Sequence, residues 1–154
     1  MIQTTILAML QRRVKGYEGH YLYIVREGET IFYIGQSLTP VSRMLEHVYG
    51  SRGHGPSHLG DFIRLFAEYA DNWQVELLTL DDCKPYIDQY GTFCRGEEDA
   101  EKYWELSHTH NGLRDKYWQQ YAINSAEGAL IQHYRPCINI AGNPNPSPLP
   151  ELYQ

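Results

Sequence analysis

Two short runs of β-branched and aromatic residues, separated by a glycine-containing turn, constrain the fold of this chain most. Residues 21–25 read Tyr-Leu-Tyr-Ile-Val and residues 31–34 read Ile-Phe-Tyr-Ile. Such residues favour strands, and a short Glu-Gly-Glu connection favours a tight reversal of the chain. The sequence therefore predicts a β-hairpin over residues 20–35, with a three-residue turn at 27–29.

The length of that turn decides which side chains share a face of the hairpin. A three-residue turn places Tyr23 directly opposite Tyr33 on one side of the sheet, whereas a two-residue turn places them on opposite sides. Ordinary strand packing also accounts for two tyrosines in such strands, so the pattern alone leaves their role open.

The rest of the chain predicts helices around a small sheet. Thr39 is the expected N-cap of a helix that has Pro40 at its first position and Gly50 past its end. The expected fold class is α+β, with a central three-stranded antiparallel sheet flanked by helices. Apolar spacing predicts the following segments: helices over 2–14, 40–49, 58–70 and 121–135, a short helix from Asp81 to about Tyr90, and a third strand over 73–80.

Chain length and composition favour a single domain over residues 1–154. Hydrophobic residues make up 42% of the sequence, which is enough for one core at this length. We expect a core of about 19–143, a mainly helical insertion at about 82–120 and a proline-rich tail at 143–154. The tail should be extended, because proline at this density excludes helix and central strand. It acts either as a strap or as a partner-binding segment.

The cysteine content and the net charge bear on the cellular compartment of the protein and on its binding partners. Cys83, Cys94 and Cys137 are an odd number without a Cys-x-x-Cys pair, which favours a reducing cytoplasm over a disulfide framework. Neither a membrane span nor a secretory signal is predicted. The net charge of −6 argues against nonspecific nucleic-acid binding. Residues 1–52, however, carry six basic and four acidic residues, a balance of +2 that leaves room for one phosphate-binding face.

Three polar side chains, those of Arg43, His47 and Glu127, are candidates for binding a phosphate or a metal ion. Arg43 and His47 are four residues apart, so they share a face of the helix over 40–49. Such a pair suits a phosphate, although a solvated helix edge has the same spacing. Glu127 lies in the apolar stripe of the last helix, where a carboxylate must be paired, hydrogen-bonded or bound to metal. A salt bridge, for instance to Arg43, is the alternative to a metal role.

Together these residues resemble the GIY-YIG nuclease family over roughly residues 19–143. Residues 21–25 are similar to the family's GIY segment, with Tyr21 in place of the opening glycine and Tyr23 as the motif tyrosine. Residues 33–35 carry a verbatim Tyr-Ile-Gly. Arg43 and His47 follow with the spacing of the family's helix.

The second half of the resemblance is carried by single residues in the right order. Glu127 resembles the family's metal-binding glutamate, and Asn139, twelve residues later, resembles its closing asparagine. The resemblance implies an endonuclease that hydrolyses phosphodiester bonds in DNA with one active site per chain. Glu127 would bind Mg²⁺ or Mn²⁺, and Asn139 would orient a side chain or phosphate.

The resemblance also implies roles for the hairpin and the helix. Arg43 would clamp the phosphate, and Tyr23, with Tyr33 hydrogen-bonded close by, would act as general base or position the attacking water. A free tyrosine with a pKa near 10 is only about 0.1% ionised at pH 7. Tyr23 would therefore need help from Arg43, His47, Arg26 or a metal-bound hydroxide.

Substrate contacts and specificity are less constrained by the sequence. Backbone contacts to DNA are expected from four residues: Arg26, Arg52, His54 and His58. A homodimer, a partner protein or the insertion would supply specificity, and restriction, mobile-element and repair roles all remain open.

Three alternatives compete with the nuclease. The first is a non-catalytic module on a nuclease-like fold that binds nucleic acid or protein, and the second is a purely structural interaction protein. The third is a zinc-binding protein, although the spacing of its candidate ligands is irregular. Those ligands would be Cys83, Cys94, His108 and His110. One aromatic group is expected to form the core of the insertion rather than a base-stacking platform: Tyr103, Trp104, Tyr117, Trp118 and Tyr121.

Overall fold

A computed structural model describes the backbone of residues 1–91 and 114–154, and the side chains of residues 1–91 and 119–154. The described chain is α+β, as expected, with one antiparallel sheet between two layers of helices. The strands are β1 (Ile2–Thr5), β2 (His20–Glu27), β3 (Thr30–Gln36) and β4 (Gln74–Thr79). The helices are α1 (Ile6–Leu10), α2 (Pro40–Tyr49), α3 (His58–Leu65), α4 (Ala67–Ala70), α5 (Leu80–Tyr90) and α6 (Arg114–Tyr134).

The sheet has four strands in the order β1-β4-β2-β3, so the prediction of a three-stranded sheet is wrong. The helix expected over residues 2–14 is shorter than predicted, because residues 2–5 pair with β4 instead. Thr5 accepts a hydrogen bond from the Ala8 amide through its Oγ1 at 3.1 Å and caps α1, which therefore begins only at Ile6. Adjacent threonines at 4 and 5 also favour extended backbone.

The predicted hairpin is present, but its register differs from the expectation. Glu27 pairs with Thr30, so the turn has two residues rather than three, and a bulge follows between Val25 and Arg26. The bulge shifts the register by one residue and compensates for the shorter turn. Tyr23 therefore shares a face with Tyr33 as predicted, although its direct partner is Gly35.

The helices after the hairpin begin and end close to the predicted residues. The helix from Pro40 to Tyr49 has Thr39 as N-cap, and Gly50 follows it with a φ of 81°. The helix predicted over 58–70 breaks at Phe66 into α3 and α4. Helix α5 is capped by Thr79, which exchanges hydrogen bonds with Asp82 in a capping box.

Each face of the sheet has its own core. On the first face, α1, α2 and α3 bury an aromatic group that includes Phe32, Phe62 and Trp73. On the second face, α5 and α6 cover Leu22 and Ile24. The sheet is thus protected on both sides, and the end of α2 and the middle of α6 are held at fixed positions relative to β3.

The proline-rich tail packs against the domain as a strap. Tyr153, in a short 3₁₀ turn over Glu151–Tyr153, is buried among the aromatic rings of the first core. Its hydroxyl donates to Glu27 Oε1 at 2.7 Å and accepts from Trp73 Nε1 at 3.2 Å. In the part of the chain that the structure describes, no helix is both long and apolar enough to cross a membrane.

Several expectations fall on residues that the structure does not describe. Residues 92–113 contain most of the expected insertion, and Cys94, His108 and His110 of the zinc alternative lie there. Of the aromatic group assigned to the insertion, only Tyr121 has a described side chain, and it is buried. Residues 82–90 of the expected insertion lie in α5, which packs against α6.

Candidate active site

A cleft of about 290 Å³ opens between α2, the start of α3, α6 and the segment after residue 137. Five of the six expected catalytic residues line it: Tyr33, Arg43, His47, Glu127 and Asn139. The sixth, Tyr23, lies directly behind the lining and is hydrogen-bonded to His47. The fold therefore brings the hairpin, the Arg-His helix and the Glu-bearing helix to one place.

Tyr23 is held in a closed pocket of side chains. Its side chain is only 1% exposed, and its ring packs against Tyr33 with centroids 6.2 Å apart. A Cβ atom on Gly35 would lie 2.4 Å from the Tyr23 ring, so the glycine of the Tyr-Ile-Gly motif provides the space that this ring occupies. Burial raises the pKa of Tyr23 far above its ordinary value, Tyr33 and Glu127 act in the same direction, and Arg43 opposes them.

His47 connects Tyr23 to the start of α3. Its Nε2 lies 2.7 Å from the Tyr23 hydroxyl oxygen, and its Nδ1 is hydrogen-bonded to Ser57 Oγ. The side chain is 1% exposed. Burial, assisted by the positive charge of Arg43, lowers the pKa of His47 to about 4. His47 is therefore neutral at pH 7 and able to accept a proton.

Arg43 lies one helical turn before His47, at the outer part of the cleft. Its Nη1 forms an ion pair with Glu46 Oε2 at 3.2 Å, and both side chains are more than one-third exposed. Its ion pair is thus with Glu46, not with Glu127, which the salt-bridge alternative had suggested. Because an exposed pair of this kind contributes at most about 1 kcal/mol, a phosphate can compete for the guanidinium.

Glu127 reaches the cleft from the opposite wall, on α6. Burial raises the pKa of its carboxyl group, and the side-chain amide of Gln36 acts in the opposite direction. Gln36 follows the Tyr-Ile-Gly motif and is held by Asn124 and Gln120 at 3.0 Å each. Gln36 was not predicted as a site residue, although it directly follows the Tyr-Ile-Gly motif.

The donor set of the cleft fits a divalent ion that is shared with a substrate. Among the described residues, no three His, Cys, Asp or Glu side chains converge on a metal position. One carboxylate facing an open cleft suits Mg²⁺, which keeps several waters and takes phosphate oxygens from its substrate. The same site provides too few ligands for a structural zinc ion.

Asn139 closes the edge of the sheet beside the cleft. Its Oδ1 accepts from the Ile34 amide and its Nδ2 donates to the Ile34 carbonyl, both at 2.8 Å. Cys137 and Ile138 donate their amides to the carbonyls of Ile31 and Phe32, so this segment covers the otherwise free edge of β3. Asn139 thus fixes the motif backbone, and its expected role of orienting a side chain or phosphate stays a prediction.

Of the expected DNA contacts, only His58 lines the cleft. Arg26 bonds Glu76 at 2.7 Å and the Gly28 carbonyl at 2.9 Å, and it lines a separate pocket near the hairpin turn. It is therefore not placed to assist Tyr23. Arg52 and His54 are exposed on the loop between α2 and α3 and are not among the cleft-lining residues.

Ser57 lines the cleft and was not predicted as a site residue from the sequence. It follows the glycine-rich loop, caps α3 and lines the cleft beside His47. A serine directly before an apolar helical run is an N-cap signal, but its contact with His47 depends on how α2 and α3 meet.

Comparison with known proteins returned no matching family model, no matching curated protein and no matching solved structure.

Proposed function

We propose that this protein is a divalent-metal-dependent endonuclease that hydrolyses phosphodiester bonds in DNA, as its resemblance to the GIY-YIG nucleases implies. The observation that carries the proposal is the convergence of Tyr33, Arg43, His47 and Glu127 on one cleft, with Tyr23 hydrogen-bonded behind His47. A neutral imidazole, a buried tyrosine, a cation and a carboxylate at one place are the groups that such a hydrolysis needs.

Arg43 would bind the scissile phosphate at the outer part of the cleft. Its guanidinium stays charged at all relevant pH values and can form two parallel hydrogen bonds to phosphate oxygens. Its present partner, Glu46, lies on the same helix and is exposed, so releasing it costs little. The positive charge would then offset the charge that builds up on the phosphate in the transition state.

Tyr23 and His47 would act together as the general base. Because burial raises the pKa of Tyr23, its hydroxyl is protonated at pH 7 and cannot act as a phenolate. The tyrosine would act as base only if the attacking water reaches its oxygen from the cleft beside His47. That oxygen would then take a proton from the water while its own proton moves to His47 Nε2, which lies 2.7 Å away. The Tyr33 ring, packed against both, keeps this pair in place.

Glu127 would hold the divalent ion, which, when bound, polarises the phosphoryl group and stabilises the leaving 3′ oxygen. The carboxylate is half-buried, so its interaction with a cation is screened less than that of an exposed one. Glu127 and Arg43 line the same cleft from different helices, so a phosphate bound by both would lie between them.

The net charge of −6 favours a second candidate, a non-catalytic module that binds a partner on the same fold. Affinity for DNA that falls steeply with salt would support nucleic-acid binding without cleavage. A module that binds only protein would show no DNA affinity at any salt concentration.

Replacement of Tyr23 by phenylalanine tests the proposed base. Supercoiled plasmid and phage DNA are incubated with Mg²⁺, or with a chelator, and the nicked and linear products are quantified. We expect cleavage by the wild type only with Mg²⁺, and a loss of about 100-fold or more in Tyr23→Phe.

Tyr49→Phe is the matched control, because Tyr49 lies on the same helix as His47 and is 68% exposed. This variant should cleave DNA like the wild type. Equal rates for wild type and Tyr23→Phe would move the base role to another residue. Failure of the wild type to cut duplex, flap or single-stranded DNA would reject the endonuclease.

A further inference from the structure

The contact between His47 and Ser57 goes beyond what the proposed chemistry requires. Ser57 makes four hydrogen bonds at the junction of α2 and α3. Its carbonyl accepts from the Asp61 amide at 2.8 Å within α3, and its amide donates to the His47 carbonyl at 3.0 Å. Its Oγ accepts from the Gly60 amide at 3.1 Å and is hydrogen-bonded to His47 Nδ1. The backbone and the side chain of His47 are thus held by one residue.

Gly60 brings the two helices close enough for this contact. A Cβ atom on Gly60 would lie 1.5 Å from the His47 carbonyl oxygen, so only glycine permits the approach of α3 to the end of α2. The position of Ser57 relative to the imidazole is therefore set by backbone packing and not by a mobile loop.

The burial of Tyr23 decides the direction of its hydrogen bond to His47. Its side chain is 1% exposed, and among the described residues His47 Nε2 is the acceptor that its hydroxyl proton reaches. If Nε2 carried a proton instead, the Tyr23 hydroxyl proton would lack that acceptor, and a buried donor without a partner is costly. The bond to Tyr23 therefore favours the tautomer in which Nε2 presents its lone pair, and the bond to Ser57 is the second contribution.

A neutral imidazole whose Nε2 accepts carries its proton on Nδ1. The Nδ1 proton then points at Ser57 Oγ, which can accept from both Nδ1 and the Gly60 amide and still direct its own proton into the cleft. We infer that Ser57 is a positioning residue that fixes His47 in the Nδ1-protonated tautomer, so that Nε2 is free to take the proton of Tyr23.

The consequence for cleavage rests on the proposed endonuclease function, whereas the tautomer itself does not. Without Ser57, the buried Nδ1 proton loses its acceptor, so the Nδ1-protonated form is less favoured and the Nε2-protonated form can compete with it despite the bond to Tyr23. The Nε2-protonated form cannot accept the proton of Tyr23. Ser57 would then be needed for the base although it touches neither water nor phosphate in this role.

The tautomer is measured directly by ¹⁵N NMR of protein labelled at its seven histidines, with the His47 signals assigned by their loss in His47→Gln. We expect wild type at pH 7 to show a single Nδ1–H tautomer, Ser57→Ala to populate the Nε2–H form, and Ser57→Thr to restore the wild-type pattern. An Nε2–H tautomer in the wild type, or an unchanged tautomer in Ser57→Ala, would overturn the inference.

Thr79→Ala controls for the loss of a helix cap, because Thr79 caps α5 with the same kind of bond and lies outside the cleft lining. Ser57→Ala should lower the Mg²⁺-dependent cleavage rate about 10- to 100-fold, as loss of an orienting partner commonly does. Thr79→Ala should leave the rate unchanged, and Ser57→Thr should restore most of it.

The two readouts separate the two proposals. If the spectra are as expected but Ser57→Ala cleaves like the wild type, the positioning role in catalysis is wrong. If the wild type cleaves no nucleic acid, the proposed function fails, and the spectra alone still decide whether Ser57 sets the tautomer.

Discussion

Acidification should destabilise this protein through His47 in a way that can be isolated by one substitution. Burial and Arg43 lower the pKa of His47 from 6.5 to about 4 in the folded protein. Between these pH values the unfolded chain binds a proton at His47 and the folded protein does not. The free energy of unfolding must therefore fall as the pH drops below 6.5, and this loss is complete below pH 4.

The size of the effect follows from the two pKa values. One pKa unit corresponds to about 1.4 kcal/mol, so the full loss is about 3 kcal/mol below pH 4 and about 2 kcal/mol at pH 5. His47→Gln removes the titrating group and with it this part of the pH dependence. Glu127, whose raised pKa contributes with the opposite sign, is present in both proteins and cancels in the comparison.

The assay is urea denaturation of wild type and His47→Gln at pH 7.5 and pH 5.0. His47→Gln should be less stable at pH 7.5, because it loses the bonds to Tyr23 and Ser57. The difference between the two proteins should shrink by about 2 kcal/mol at pH 5.0. His54→Gln, at an exposed position, is the control and should follow the wild type. A difference that stays constant between the two pH values would refute the assignment of His47 as a buried, neutral imidazole.

Two further substitutions test how the hairpin is held. Gly35→Ala should destabilise the protein by about 1–3 kcal/mol in urea denaturation, because the new Cβ collides with the Tyr23 ring. Gly55→Ala is the control and should keep the wild-type stability, because a Cβ atom there meets no atom within 4 Å. Equal stabilities of the two variants would contradict the packing of Tyr23 over Gly35. Asn139→Ala should cost about 2 kcal/mol, because it leaves the Ile34 amide and carbonyl without their partner. The exposed Asn145→Ala is its control, and slow amide exchange of Ile34 that persists in Asn139→Ala would argue against the edge-closing role.

The elements that the sequence predicts well are those set by local interactions. The hairpin over 20–35 depends on strand propensity and a nearby turn, and the helix from Pro40 to Tyr49 depends on a proline at its start and a glycine after its end. Both are present because neighbouring residues suffice to specify them. The shared face of Tyr23 and Tyr33 is also correct, although it results from a bulge that no local signal indicates.

The features that the sequence does not predict depend on contacts between residues far apart in the chain. Ile2 fits the helical apolar spacing of Ile6 and Met9, but residues 2–5 form a strand because they pair with the edge of β4, some seventy residues later. Asn139 binds the motif backbone because β3 is the outermost strand, which the order of the sheet decides. The contact of Ser57 with His47 depends on the close approach at Gly60, which the sequence of either helix alone does not reveal.

The direct test of the central claim is the Mg²⁺ dependence of DNA cleavage in wild type and Glu127→Gln. Glutamine keeps the size of the side chain and removes the charge that would hold the ion, and a bound ion supplies several kcal/mol of transition-state stabilisation. Each 1.36 kcal/mol is tenfold in rate, so we predict a loss of about 100-fold or more that added Mg²⁺ does not restore.

Glu29→Gln, in the two-residue turn of the hairpin and outside the cleft lining, should cleave like the wild type. We predict Mg²⁺-dependent cleavage by wild type and Glu29→Gln, with almost none by Glu127→Gln. Cleavage by Glu127→Gln at the wild-type rate would contradict it.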